Sequence, residues 1–358
     1  MNIFKLLIIN PGSTSTKVAI FENESEIYSK TIRHDAEELL AYTSIFSQYP
    51  FRKATILDAL HEEKFDLTTL DAIIGRGGML RPLKGGVYEV NKNMLKDLES
   101  GEYGEHASSL GAKLALEIGS PLHIPSYIVD PVVVDELEEI ARVSGIPEIK
   151  RKSIFHALNQ KAVARKAAKE LGSTYDQLNF VVAHLGGGIS VGAHKKGRVI
   201  DVNNAVDAEG SFSPERSGSV PVGDLAKLCY SGKYTYHEIK KKITGKGGLI
   251  AYLGTSDGRE VESRIDNGDE KATLIYEAMA YQTAKEIGAY ATVLKGQVDA
   301  IILTGGLLYD RNIKKWLVER IGFIAPVIVY PGEDEMAALA EGGLRVLRGQ
   351  EKSISYQQ

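Results

Sequence analysis

The chain has 358 residues, 43% of them hydrophobic and 25% charged, the balance of an ordinary globular protein with room for about two domains. Its 43 basic and 47 acidic side chains leave a net charge of -4, which offers no overall attraction to a phosphate backbone and argues against a nucleic-acid partner. Cys229 is the single cysteine, so an internal disulfide and any multi-cysteine metal site are excluded, and the apolar run at residues 6–9 is too short for a signal-peptide core or a membrane span.

Residues 6–9 read as a buried strand, residues 10–17 as a polar turn, and residues 18–21 as a second β-prone run ending at Glu22-Asn23. In the turn, Gly12 lets the backbone approach an oxygen-rich ligand while Ser13, Thr14, Ser15, Thr16 and Lys17 supply donors, a composition suited to phosphate. One such segment alone is more often a plain hairpin turn. Residues 91–98 carry no decisive period. Residues 155–171 read as a helix, with Leu158, Ala162, the Arg165 stem, Ala168 and Leu171 at helical spacing and Gly172 as its stop.

Strand, turn and strand then return at residues 180–183, 184–190 and 191–194, with a hairpin turn near Lys196-Gly197. Placing Asn10 on His184 aligns Gly12 with Gly186 and Asn23 with Gly197 without a gap, so an internal duplication is expected. In His184-Leu185-Gly186-Gly187-Gly188 three glycines expose successive N–H groups. Two such loops favour a pair of phosphate cradles around a nucleotide over two ordinary turns.

Further on, Ile275, Met279, Thr283, Ile287, Tyr290 and Leu294 mark one side of a long helix. Residues 298–304 form a strand that ends in Gly305-Gly306, the position where open α/β sheets bind ligands. Asp310 caps a helix whose inner face holds Ile313, Trp316, Leu317 and Ile321. A last strand spans residues 327–330, Met336, Leu339, Ala340, Gly343 and Leu347 stripe a terminal helix, and residues 353–358 read as a frayed tail. The mixture implies an α/β fold with two related lobes, divided near residue 150 at Ile146-Pro147.

No Walker A pattern is present, since residues 244–248 lack its spacing, and residues 75–78 lack a Rossmann GxGxxG. Neither HExxH nor paired CxxC occurs, so any metal is expected to be magnesium held by oxygens and phosphates.

Asn10-Pro11-Gly12-Ser13-Thr14-Ser15-Thr16-Lys17, His184-Leu185-Gly186-Gly187-Gly188, Glu215-Arg216-Ser217-Gly218 and Thr304-Gly305-Gly306 stand in an order that resembles the acetate/butyrate kinase family over most of the chain. Within it, Gly75-Arg76-Gly77-Gly78, Glu105-His106-Ala107-Ser108 and Ile154-Phe155-His156-Ala157 are more similar to butyrate kinases than to acetate kinases. Gly187, Gly305-Gly306-Leu307-Leu308 and Asp130-Pro131-Val132 depart from the acetate kinase pattern, which puts acetate in doubt rather than phosphoryl transfer.

The resemblance implies two duplicated actin-like (ribonuclease H-like) ATPase lobes around a nucleotide cleft: residues 1–150 joined by the terminal helix 336–358, and residues 151–335 with the nucleotide site. It implies reversible transfer of the ATP γ-phosphoryl to butyrate or a similar short or branched fatty acid, giving butyryl phosphate and ADP, with Mg2+, in a homo-oligomer, while the short N-terminal apolar run makes the cytoplasm the expected location. Such transfer brings two anions together, so cations and donors must surround the reacting group. By the resemblance Arg76 meets the acyl carboxylate with His106 assisting, and Arg216 and His156 stabilise the moving phosphoryl. Asn10, Gly12, Ser13, Ser15, Lys17, His184, Gly186, Gly187, Gly188, Asp257, Arg259, Gly305 and Gly306 fall to the nucleotide. Asp130 and the pair Asp334 and Glu335 fall to the metal, with Glu333 an alternative in that acidic run. The carboxylate is already ionised at neutral pH and needs no general base, while lobe closure hinged near residue 150 would exclude water. Competing readings are an acetate or propionate kinase and, in another class, an actin-like or chaperone-like ATPase.

Overall fold

Leu6, Leu7, Ile8 and Ile9 are fully buried, the near-continuous apolar run of a strand covered on both faces. They lie in β1 (Lys5–Pro11), which is followed by β2 (Ser15–Glu22), β3 (Ser25–Arg33), β4 (Ala72–Arg76), β5 (Val87–Glu89) and β6 (Ser126–Val129). The structure, a computed structural model, describes residues 2–357. The chain divides into two units, Met1–Val134 with Asp334–Gln358, and Asp135–Glu333. The division therefore falls between Val134 and Asp135 rather than near residue 150, and Ile146-Pro147 lies inside the second unit.

In the first unit β1 pairs antiparallel with β2 and parallel with β4. The helices Tyr49–Glu62 and Leu110–Gly119 send Ile56, Leu60, Leu110 and Leu114 into a cluster with Leu7, Ile9, Val18 and Ile20. The second unit holds β7 (Asn179–Leu185), β8 (Ile189–Lys195), β9 (Arg198–Val202), β10 (Ala300–Gly305) and β11 (Val327–Pro331). Its sheet order β11-β10-β7-β8-β9 repeats the first unit's β6-β4-β1-β2-β3 with the same strand directions. Both hairpins even carry a register shift at the same place, between Ile20 and Phe21 and between Ala193 and His194.

The two copies do not superpose without a gap. Pro11 pairs with Thr16 around residues 12–15, whereas Leu185 pairs with Ile189 around residues 186–188, so the second turn is shorter and the copies slip by one residue beyond it. Asn23 thus corresponds to Lys196, not Gly197, and the two share the left-handed conformation with φ of 52° and 47°.

Asp310 accepts from Asn312 N and Ile313 N and caps Arg311–Ile321, and Met279, Thr283, Ile287 and Tyr290 line the buried side of Glu270–Val293. The helix Ala157–Glu170 buries Leu158 and Ala168 of the expected stripe but not all of it: Leu171 is 49% exposed, while Asn159, Gln160 and Lys161 are buried beside Ala157, Ala164 and Ala167. Polar side chains inside a helix face hide it from a hydrophobic period; here they have partners, such as Glu136 Oε2 at 2.8 Å from Lys161 Nζ. The undecided segment at residues 91–98 lies in a helix, Lys92–Ser100, capped by Asn91.

The helix Glu335–Leu347, with Asp334 as its cap, buries Met336, Leu339, Ala340 and Gly343. After it the chain is not frayed. β12 (Ile354–Ser355) pairs in parallel with β5, and Tyr356 is 2% exposed, its hydroxyl 2.5 Å from Asp97 Oδ2 and 2.9 Å from Arg81 Nε. Gln358 of the expected tail lies outside the described residues. Among those residues no helix is long and apolar enough to cross a membrane.

Candidate active site

The loop between β7 and β8 is closed by a bond from Gly186 N to Gly188 O and tied down by Ser213 Oγ, which donates to Gly187 O at 2.7 Å. A Cβ on Gly188 would stand 1.8 Å from Arg216 Nη1, so the missing side chain is what lets a guanidinium lie against this loop. Arg216 Nη1 donates to Ala205 O at 2.6 Å, while its Nε is buried without a hydrogen-bond partner. Burial pushes the Arg216 pKa below its usual range, yet an arginine stays charged. A desolvated cation with an unspent N–H beside a glycine loop has the chemistry that suits an anion.

His156 and His184 stack beside this loop, ring centroids 3.8 Å apart and planes 15° from parallel. His184 Nδ1 contacts Asn159 Oδ1 at 2.7 Å, and its Nε2 lies 3.8 Å from Glu333 Oε2. Gly305 ends β10 at φ 104°, and a Cβ there would stand 2.2 Å from Leu185 O, so only glycine fits.

These elements border a cavity of about 520 Å³ lined by Gly186, Gly187, Asp257, Arg259, Gly306 and Glu333, a volume typical of small-molecule sites. Asp257 caps the helix Gly258–Asp266 and pairs with the largely exposed Arg259 at 2.7 Å. Tyr276 and Asp310 also line the cavity, and Tyr276 Oη and Asp310 Oδ2 are buried without a well-formed hydrogen bond. Burial raises both groups above their usual pKa. Sequence reasoning passed over Tyr276 and saw Asp310 only as a cap, since an aromatic and an N-cap look the same whether or not a ligand sits beside them.

In the first unit the turn between β1 and β2 is organised by a residue that sequence reasoning missed. Arg52, fully buried on the helix Tyr49–Glu62, donates from Nη1 to Gly12 O and Ser15 O at 2.8 and 3.0 Å and from Nη2 to Ser13 O at 2.9 Å. Thr16 Oγ1 and Gln48 Oε1 take its remaining bonds. Three loop carbonyls are thereby held on a buried cation; Ser13 is exposed, and Ser15 and Lys17 are half-buried. Burial, with the Arg52 charge second, holds His34 down to about 4 where it meets Thr16 Oγ1 at 2.8 Å.

Arg76, at the end of β4, lies 2.6 Å from Glu335 Oε1 through Nη1, an ion-pair distance without hydrogen-bond angles. Asn10 Nδ2 donates to Glu335 Oε2 at 2.7 Å. His106 caps the turn Ala107–Ser109 with Nδ1 2.8 Å from Ser108 Oγ, and its pKa is lowered by burial and then by the Arg76 charge. Arg76, His106, Asn10 and Glu335 thus form one polar group.

The proposed metal ligands do not converge. Asp130, 1% exposed, accepts from Gly86 N at 2.8 Å; Asp334 accepts from Ala337 N as a helix cap; Glu335 is engaged by Arg76 and Asn10. No group of three His, Cys, Asp or Glu side chains is arranged for a metal among the described residues. These three carboxylates therefore do not fit a shared cation cage.

Comparison with known proteins decides the family. Residues 121–322 match the model described as the acetokinase family. The chain is also 59% identical over 354 residues to butyrate kinase 1 of Clostridium acetobutylicum, covering 99% of this chain and 100% of that protein. The chain belongs to the acetokinase family. Butyrate kinase 2 of the same organism is likewise 59% identical over 353 residues, covering 99% of each chain. The crystal structure of Porphyromonas gingivalis acetate kinase shares the fold of this acetokinase-family chain with a TM-score of 0.80, at 22% identity over 96% of this chain and 100% of that one.

Proposed function

We propose that the chain is an ATP-dependent carboxylate kinase that moves the γ-phosphoryl reversibly onto butyrate or a similar short or branched fatty acid, giving an acyl phosphate and ADP. The observation that carries this is the group in the second unit, Arg216 over Gly188 beside the stacked His156 and His184, on the loop whose Gly186 and Gly187 line the cavity. Identity of 59% across the whole length of two proteins named butyrate kinase supports butyrate over acetate or propionate.

In this reading the cavity takes the nucleotide. The loop at residues 186–188 lies along its phosphates, Gly305, Gly306, Asp257 and Arg259 flank the nucleoside, and Tyr276 and Asp310 face the base from the cavity wall. Arg216 and His156 stabilise charge on the moving phosphoryl. The first unit takes the carboxylate at Arg76 and His106, while Ser13, Ser15 and Lys17 add donors for phosphate in the turn that Asn10 and Gly12 shape. A carboxylate oxygen forms the new bond to phosphorus as the bond to the bridging oxygen of ADP breaks; no proton has to leave. Magnesium accompanies the phosphates as their counter-ion rather than a cage of Asp130, Asp334 and Glu335. Dependence on ATP favours a cytoplasmic enzyme, and family resemblance favours a homo-oligomer, which sedimentation would read directly.

The test is hydroxylamine trapping with ATP across a series of straight and branched acids. Butyryl hydroxamate should form faster than acetyl hydroxamate. Release of inorganic phosphate with no hydroxamate from any acid would replace this reading with an ATPase.

A further inference from the structure

Behind His156 runs a chain of buried hydrogen bonds whose direction follows from chemistry as far as Ser190. Gln160, fully buried, places Nε2 3.0 Å from Ser190 O and 2.8 Å from Ser190 Oγ. A backbone carbonyl only accepts, so this end of the amide is the NH2 group and the other end, Oε1, is an acceptor. Oε1 lies 2.9 Å from His194 Nε2, which must therefore carry a proton. His194 is fully buried, with Lys161 and Arg165 as the charges acting on it, and burial keeps the ring neutral. Its Nδ1 is then a lone pair and takes the Tyr175 hydroxyl at 2.7 Å. Ser190 Oγ, which already accepts from Gln160, lies 2.8 Å from His156 Nδ1, where its own O–H can donate.

We propose that Tyr175, His194, Gln160 and Ser190 form a positioning chain that holds His156 as the neutral tautomer protonated on Nε2, a fixed hydrogen-bond donor for the transferring phosphoryl. The donor's target rests on the kinase reading above; the tautomer does not.

Two further features act in the same direction. Protonating His156 on Nδ1 would present Ser190 Oγ with a second donor beside Gln160 and turn its O–H away from the imidazole. The stacked His184, with ring centroids 3.8 Å away, makes a second positive ring costly, because like charges at that distance repel. The sequence accommodates the chain at Gly192, where a Cβ would stand 3.0 Å from Gln160 Oε1.

The test is nitrogen NMR of the full chain labelled with 15N-histidine, the His156 signals being assigned by their loss in His156→Gln. A pyrrole-type shift at Nε2 and a pyridine-type shift at Nδ1 are expected. Ser190→Ala should move His156 to a mixture of tautomers and lower kcat for acyl-phosphate formation about tenfold, the worth of one hydrogen bond, with the KM for ATP changed less than about twofold. Gln160→Leu should do the same, and Ser190→Thr, which retains the hydroxyl, should restore the wild-type shifts. A wild-type His156 protonated on Nδ1 overturns the proposal, as does a tautomer unmoved in Ser190→Ala. If the variants do not fold, the wild-type spectrum alone decides. The expected tautomer in a protein that makes no acyl phosphate would uphold the chain and sink the kinase reading, so the two failures are separable.

Discussion

Arg216 stands where a methyl group on Gly188 could not be tolerated, and its Nε has nothing to bind. If it holds the moving phosphoryl, Arg216→Ala should lower kcat about a thousandfold, the scale of a lost electrostatic stabiliser, while calorimetry still registers ATP binding. His156→Ala should behave alike; wild-type turnover in a folded variant removes that residue from the reaction. Arg52 is a different case, since it acts on backbone rather than ligand. Arg52→Met strands the carbonyls of Gly12, Ser13 and Ser15, and breaking such a buried network costs about 3 kcal/mol or more. Urea unfolding would measure it, and a loss below about 1 kcal/mol would show that water replaces the guanidinium.

His34 gives the same region a pH signature. Its pKa is about 4 in the folded chain against 6.5 for an ordinary histidine. Between those values the unfolded chain binds a proton that the folded chain refuses, so stability is full above pH 6.5 and is lost as pH falls toward 4. His34→Gln should flatten that part of the profile. Equal differences between urea midpoints at about pH 7 and about pH 5 in both proteins would assign the acid loss elsewhere.

At the scale of elements, the last strand is the feature with the clearest stability consequence. Tyr356→Ala removes a buried ring and its contacts with Asp97 and Arg81, and should cost roughly 3–5 kcal/mol in thermal unfolding; an unchanged midpoint would restore the frayed tail. That strand was illegible because Ile354 and Tyr356 stand among Ser, Lys and Gln and their partners lie far back in the chain. The hairpins, by contrast, announce themselves, because β1, β2, β7 and β8 are local runs of buried aliphatic residues bounded by glycine turns. Loop chemistry was equally visible at Gly12 and at Gly186, Gly187 and Gly188. What organises those loops was not: Arg52, Asn159 and Gln160 are polar residues on buried helix faces, where composition points to solvent. The expected stripe is met at Leu158 and Ala168 and breaks at Leu171 for that reason. Asp130, Asp334 and Glu335 share a charge that suits a metal, but their partners, Gly86 N, Ala337 N and Arg76, become visible only in three dimensions.

For the whole molecule, the cavity lies within the second unit, so nucleotide should act unevenly along the chain. At one hundred times its dissociation constant a ligand stabilises the native state by about 2.7 kcal/mol. Hydrogen exchange with a non-hydrolysable ATP analogue should slow at residues 184–190, 256–262 and 305–310. Protection absent from all three segments would move the nucleotide out of the cavity.

The first unit is assembled from both ends of the polypeptide, because Met336, Leu339 and Gly343 complete the apolar face over β1 and β4. A ribosome delivers that closing helix after every residue of the second unit has emerged. The half translated later is therefore the first able to finish its core, and the half begun first must wait with Leu6, Ile74 and Val129 uncovered, an interval in which a nascent chain depends on chaperones or on speed.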